Sequence, residues 1–478
     1  MPIFRIKNRH RNKQLKILFA SYECAPFFKL GGLGDVAGSL PKALKNLGAD
    51  IRVVMPYYSS IKKNYPQIHA RRLGLRSHFG EGGSFSVGGK KYKINIYQSN
   101  LPKSDVPIYF IDHKIFRAKN IFDQSERERF ITFSLLIKKL LDDNSLDWQP
   151  DIIHCNDWQT AVVPLISKTK TLFTIHNIGY TGQTSLFILK KFGFAESDFN
   201  QIKNGSINLM RQAILDADLV STVSPTYAQE ILTKEYGYDM ASILRQRKKD
   251  LYGIINGLDY EIFNPATDRN IKFKYDLKKI NNKIKNKLYL QKNSGLPQHK
   301  NIPLIAMVSR LTGQKGFDIL KQAFAEIMRL NLQFVILGTG DKEYEDFFKK
   351  MNERYKHKFS AHLKFDPKLA HQIYAGADMF LMPSKYEPCG LGQLIAMEYG
   401  TIPIVRSTGG LADTVKRDSG FSFKKYNSSE MFKTIKLALA VYCNQQEWLR
   451  LVGNSMKKDF SWATSAKKYL KIYKKLIQ

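Results

Sequence analysis

The chain has 478 residues, more than one hydrophobic core serves well, so two domains are expected. Its 43% hydrophobic and 24% charged residues match a soluble globular protein, and no apolar run reaches the ~20 residues of a membrane span. The 75 Lys and Arg against 42 Asp and Glu give a formal net charge of +33. They are spread along the chain, with no zinc finger, helix-turn-helix or RNA-recognition aromatic signature. The charge therefore reads as a solvated surface favouring anionic substrates, with neither nucleic acid nor membrane as partner.

In chain order, a basic stretch from Arg5 to Lys16 leads into Ile17-Leu18-Phe19-Ala20, too short and too soon interrupted by Tyr22 and Glu23 for a signal peptide. It reads as a basic arm before a first buried strand. Short apolar runs then alternate with helix-length amphipathic segments, the pattern of βαβ units. Candidate strands are 16–21, 51–55, 108–111, 151–155, 172–175 and 219–223, with helices over 36–46 and 129–141. Residues 84–97, alternating around Gly88-Gly89, read as a β-hairpin. A second series follows Asn264-Pro265: strands 304–308, 334–337, 379–382 and 402–405, helices 317–329, 368–375 and 391–399, and a last helix over 463–476. The Lys/Asn-rich segment 268–293 is expected to be flexible. Cys24, Cys155, Cys389 and Cys443 form no CxxC pair, so neither a zinc site nor a disulfide framework is expected, and the cytoplasm is the expected compartment.

Three kinds of strand-to-helix turn carry chemistry. Lys29-Leu30-Gly31-Gly32-Leu33-Gly34 follows the first strand and opens a helix, where backbone N–H groups and the helix dipole suit a phosphate. Alone, it fits phosphate binding or close packing. The acidic residue of a dinucleotide site is missing, since the second strand ends in Pro56-Tyr57-Tyr58. Arg310 and Lys315 follow strand 304–308, two cations suited to a diphosphate leaving group or, more plainly, to a solvated loop. Glu387, in Pro383-Ser384-Lys385-Tyr386-Glu387-Pro388-Cys389-Gly390-Leu391-Gly392, is placed to bond sugar or ribose hydroxyls, or to stabilise a helix N-terminus. Arg406-Ser407-Thr408-Gly409-Gly410 repeats the design.

These motifs, together with Phe173-Thr174-Ile175-His176-Asn177, Val223-Ser224-Pro225-Thr226-Tyr227, Asn256-Gly257-Leu258-Asp259, Ser309-Arg310-Leu311-Thr312-x-Gln314-Lys315-Gly316 and Thr408-Gly409-Gly410-Leu411-Ala412-Asp413, resemble the signatures of bacterial glycogen synthases and plant starch synthases, glycosyltransferase family 5. The resemblance implies a GT-B fold: an α/β chain of two doubly wound Rossmann-like domains facing a central cleft. The expected domains are 1–255, on the acceptor side, and 256–462, binding the nucleotide sugar, with helix 463–478 crossing back to the first. It implies transfer of glucose from ADP-glucose to an α-1,4-glucan with retention of configuration.

By resemblance, Lys29, Gly31 and Gly32 are donor-binding, Arg310 and Lys315 hold the diphosphate, and Glu387 contacts the donor sugar. His176 lies beside the anomeric carbon, although its sequence context alone fits a core histidine equally. Asp157 lines the sugar site, and Asn256, Cys389, Gly390, Leu391 and Gly392 complete the donor site. Gly392 stands where many bacterial members carry Thr, and His154-Cys155-Asn156 replaces the commoner His-Ala-His. Ile395 occupies the position at which sucrose- and lipid-product relatives show a second Glu. The chain's Asp-x-Asp, Asp216-Ala217-Asp218, falls at a helix-to-strand junction, a poor place for a metal–diphosphate site; no metal and no cofactor are expected.

Overall fold

The computed structural model describes residues 14–69, 84–87, 90–144 and 146–478; the arm before residue 14 and the expected Gly88-Gly89 turn lie outside them. The chain divides into two compact units, Met1–Val220 with Ala466–Gln478, and Ser221–Ser465.

The first unit is built on β1 (Lys16–Ala20), β2 (Asp50–Pro56) and the strands that follow them. β3 (Ser84–Val87) and β4 (Lys90–Lys93) form a separate antiparallel pair. The hairpin expected to run to Tyr97 stops at Lys93, because β5 (Asn95–Asn100) instead pairs antiparallel with β6 (Pro107–Asp112) at the edge of the main sheet. β7 (Ile152–Asn156) and β8 (Lys170–Ile175) extend the sheet on the other side of β1. A short antiparallel ribbon, β9 (Gln183–Ser185) with β10 (Ser206–Asn208), follows. β11 (Leu219–Thr222) lies beside β8, and the chain passes within it into the second unit, where β12 (Leu251–Gly253) flanks it.

The strand order β5-β6-β2-β1-β7-β8-β11 puts β1 in the middle, with β2 on one side and β7 on the other. Connections from β1 and β7 therefore leave over opposite faces, opening a crevice at their carboxyl ends. Ile17, Leu18, Phe19 and Ala20 are all buried, which explains the unbroken apolar run. The helix Gly32–Asn46 covers the sheet with Leu33, Val36, Ala37, Leu40 and Leu44, spaced as one helical face. Residues 466–478 also belong here: the Tyr473 hydroxyl lies 2.7 Å from Nδ1 of the fully buried His154.

In the second unit, β13 (Leu304–Val308), β14 (Gln333–Leu337), β15 (Phe359–His362), β16 (Met379–Met382), β17 (Ile402–Arg406) and β18 (Phe421–Phe423) form a parallel sheet ordered β15-β14-β13-β16-β17-β18. Alternate strand residues feed two cores: Ile305 and Met307 pack with Phe324 and Phe348, and Leu304 and Ala306 with Tyr275 and Tyr399. Here β13 is the central strand and the crevice opens between it and β16.

The segment 268–293 is ordered, correcting the expectation of flexibility. It ends in the helix Asn282–Asn293, which buries Lys283, Asn286, Lys287 and Gln291. Its polar composition misleads because these side chains are pinned from inside. Lys287 Nζ lies 2.6 Å from Asp378, and Lys283 donates to the carbonyls of Tyr374 and Ala375 and to the Thr401 hydroxyl. At the start of the segment, buried Asp268 accepts from His371 Nδ1 (2.7 Å), the Tyr399 hydroxyl (2.6 Å) and the Asn270 amide (2.8 Å). Asp268→Ala strands buried donors, so the unfolding free energy should fall by about 3 kcal/mol, read as a lower urea midpoint with unchanged circular dichroism at zero denaturant.

Candidate active site

Each sheet presents its motifs at the carboxyl ends flanking its crevice. In the first unit the glycine loop follows β1, Asp157 follows β7 and His176 follows β8. Glu23 organises the loop. Its carboxylate, 1% exposed, accepts the amides of Leu30 and Gly31, the second at 2.9 Å. The loop, which the sequence left open between phosphate binding and close packing, thus has these two amides held by a carboxylate of the chain. One Glu23 oxygen, Oε1, has no partner among the described residues, and burial raises the pKa of the group against the lowering effect of the amides. The Lys29 ammonium stands half exposed, 2.7 Å from Asp35 in the first turn of the following helix.

Asp157 is 9% exposed and has φ 55° and ψ 177°, a conformation a side chain strains to adopt. Its Oδ1 accepts the His176 amide at 2.7 Å and the Asn177 amide at 3.4 Å, tying β7 to the end of β8. Burial, only partly offset by those amides and reinforced by the nearby Glu23 charge, pushes its pKa up to about 7. His176 Nε2 lies 2.9 Å from Asn156 Oδ1, while Asn156 Nδ2 donates to the Ala20 and His154 carbonyls. That arrangement fixes the Asn156 carbonyl toward His176, so Nε2 donates and Nδ1 keeps its lone pair. Burial lowers the His176 pKa to about 3, leaving a neutral ring.

In the second unit, Lys315 Nζ reaches Glu387 Oε2 at 2.7 Å, and the Ser384 hydroxyl donates to the same oxygen at 3.0 Å. Lys315 comes from the loop after β13 and Glu387 from the loop after β16, so the pair spans the crevice. Gly316, at φ 79°, makes this possible: a β-carbon there would fall 2.1 Å from the Pro383 carbonyl oxygen. Gln314 O accepts the Lys385 amide at 2.8 Å, a second tie between the loops. Arg310 stands exposed on the same loop as Lys315.

Asn256 is buried, its backbone amide donating to the Cys389 thiol, whose pKa burial raises to about 12, so the thiol is no nucleophile at neutral pH. Gly390 and Leu391 lead into the helix Gly392–Glu398. A β-carbon at Gly392 would press to 3.0 Å from Phe380 Cε1 and 3.4 Å from Met382 Sδ, so glycine suits the large neighbours of this chain. Ile395 is buried in the second core.

The structure thus joins Asp157 to His176, and Lys315 to Glu387. Glu23, Asn156 and Ser384 escaped the sequence reading, because each acts through partners that only the fold brings to it. The Asp-x-Asp pair serves the fold. Asp218 binds Lys170 and the Thr171 amide, and Asp216 accepts from Gln212.

These sites can be set beside known proteins. The "Starch synthase catalytic domain" signature matches residues 16–246, and "Glycosyl transferases group 1" matches 291–448. The glycogen synthase of Thermotoga petrophila is 45% identical over 97% of this chain and 99% of its own length. That of Clostridium novyi is 42% identical, again over 97% and 99%. Among solved structures, the catalytic domain of starch synthase IV from Arabidopsis thaliana, bound to ADP and acarbose, superposes with a TM-score of 0.86 at 32% identity, covering 97% of this chain and 99% of that one. Sucrose-phosphate synthase from Thermosynechococcus elongatus shares the fold alone, at TM-score 0.61 and 18% identity, over 97% and 99%.

One outcome follows from Asp157. An isolated Asp titrates near 3.9, and the folded group titrates about 7, so between these values the fold holds the proton and stability falls as pH rises. Urea unfolding from pH 4 to 7 should show this slope flattened in Asp157→Asn, which keeps the acceptor oxygen for His176.

A starch synthase catalytic signature on the first part of the chain, a group 1 glycosyltransferase signature on the second, identity to curated glycogen synthases along its whole length and two sheets of the GT-B kind together show that the chain belongs to the family of bacterial glycogen synthases and plant starch synthases, and is a retaining hexosyltransferase.

Proposed function

We propose that the chain transfers glucose from ADP-glucose to the non-reducing end of an α-1,4-glucan, with the second unit holding the nucleotide sugar and the first unit serving the acceptor side. The observation that carries this reading is the Lys315–Glu387–Ser384 cluster at the crevice of the second sheet, with Arg310 on the same loop as Lys315. Arg310 and Lys315 neutralise the diphosphate as the glycosidic bond breaks, the point at which negative charge grows. Glu387, released from Lys315 by that exchange of partners, accepts from hydroxyls of the donor sugar. Asn256 and the Cys389-Gly390-Leu391-Gly392 turn complete the donor site. Lys29, with Gly31 and Gly32, supplies a further cation to the donor, and Asp157 lines the sugar site.

His176 is the group we place beside the anomeric carbon. A neutral, tethered imidazole adds no positive charge where an oxocarbenium-like centre develops. Asp157 spends Oδ1 on the His176 and Asn177 amides, which suits a group that orients the site better than one that attacks the anomeric carbon. The reading is therefore front-face transfer. The C1–phosphate oxygen bond breaks, the acceptor hydroxyl oxygen bonds to C1 on the same face, and its proton passes to the departing phosphate. ADP as the nucleotide is supported by its presence in the Arabidopsis relative. Among the described residues no helix is long and apolar enough to cross a membrane, and all four cysteines are free, which supports placing the enzyme in the cytoplasm.

The test is incorporation of labelled glucose into a glycogen primer. ADP-glucose should be used well ahead of UDP-glucose, and Glu387→Ala should lower kcat by about 10²-fold or more. Lys315→Ala should do the same, with a larger loss of ADP affinity. A preference for UDP-glucose would overturn the donor assignment, and full activity in Glu387→Ala the site.

A further inference from the structure

Glu230 lies outside every motif used so far, at the end of the helix Pro225–Glu230, and its carboxylate is committed to one task. Its Oε1 accepts the Thr408 hydroxyl at 2.9 Å and the Gly409 amide at 3.0 Å, at the turn where β17 gives way to the helix Gly409–Thr414. Thr408 is fully buried and spends its hydroxyl on Glu230, making no side-chain cap of its own. The carboxylate thus stands in for the missing cap. A second tie joins the same two helices: Asp413 accepts the Thr226 amide at 3.0 Å and its hydroxyl at 2.7 Å.

What the turn touches is the Glu387 loop. The Gly410 amide donates to the Glu387 carbonyl at 3.1 Å and lies 3.2 Å from that of Pro388. Gly409 has φ 45°, and a β-carbon there would sit 2.0 Å from the Glu387 carbonyl oxygen; one at Gly410 would sit 2.1 Å from that of Cys389. Backbone lies on backbone with no side chain between to absorb a displacement. Arg406, at the end of β17, adds a bond to the Lys385 carbonyl and another to the Tyr236 hydroxyl at 3.1 Å.

We propose that Glu230 is a positioning residue for the transfer reaction: by holding the Thr408–Gly409 turn it fixes the backbone of Glu387, and with it the carboxylate that meets the donor sugar. The inference rests on the role given to Glu387 above. Burial and the Asp413 charge raise the Glu230 pKa, while Gly409, Thr408 and Arg406 lower it, so an ionised acceptor depends on those three partners staying in place. A displacement of about 1 Å at Glu387 is enough to cost a large factor in rate, since reacting groups must be held close to their productive geometry.

The test is a double-mutant cycle on the full chain, measuring kcat and KM for ADP-glucose and the thermal midpoint of wild type, Glu230→Ala, Glu387→Ala and the double variant. Glu230→Ala should lower kcat about tenfold or more with KM for ADP-glucose changed less than threefold, and Glu230→Gln, which keeps an acceptor oxygen, should recover most of it. The double variant should be no slower than Glu387→Ala alone. Losses that multiply in the double variant, or a Glu230→Ala rate within twofold of wild type, would overturn the proposal. If Glu230→Ala does not fold, the same cycle is run with Glu230→Gln, whose smaller loss must also vanish in the Glu387→Ala background. Full activity in Glu387→Ala would overturn the site reading itself, whatever Glu230 does.

Discussion

In a parallel sheet the strand to which both neighbours connect outward decides where chemistry can happen. β1 and β13 play that part in their two sheets, each flanked by the strands whose connections leave over opposite faces. The carboxyl ends of the central strand and its partner are the one place where loops part instead of packing on one another. Lys29, Asp157, Arg310, Lys315 and Glu387 are all delivered there, each on a turn that begins at a buried strand. The apolar runs that make the strands rigid thus place polar groups that have no apolar reason to be where they are.

Those polar groups are braced by the chain itself. Lys315 rests on Glu387, Lys29 on Asp35, and the Leu30 and Gly31 amides on Glu23. These three donor sets thus each have an internal anion, which on the reading proposed above a negatively charged substrate would replace. On that proposed reading, a substrate diphosphate would exchange one set of charge-assisted hydrogen bonds for another instead of desolvating bare cations.

Much of this was legible in the sequence because apolar periodicity and glycine-bearing turns are local signals. The strands β13 and β16 and the helix Phe317–Arg329 fall where the pattern puts them. The motif residues likewise fall at the strand ends. What escaped notice depends on partners far away in sequence. Residues 268–293 read as flexible because nothing local shows that Asp378 and Thr401 await Lys287 and Lys283. The arm 90–97 read as one strand because alternation cannot say that β5 leaves the hairpin for β6. Glu23 and Glu230 are single carboxylates whose meaning lies in which amides they meet, and no spacing encodes that.

The bond between His154 and Tyr473 joins positions 319 apart, with the whole second unit between them in sequence. On a ribosome the strand bearing His154 emerges long before its partner. Until residues 466–478 appear, a histidine destined for complete burial must remain wet, or keep its β7 surroundings loose. The first unit is therefore the earlier to begin and the later to finish, and its interior closes only after its neighbour has been synthesised.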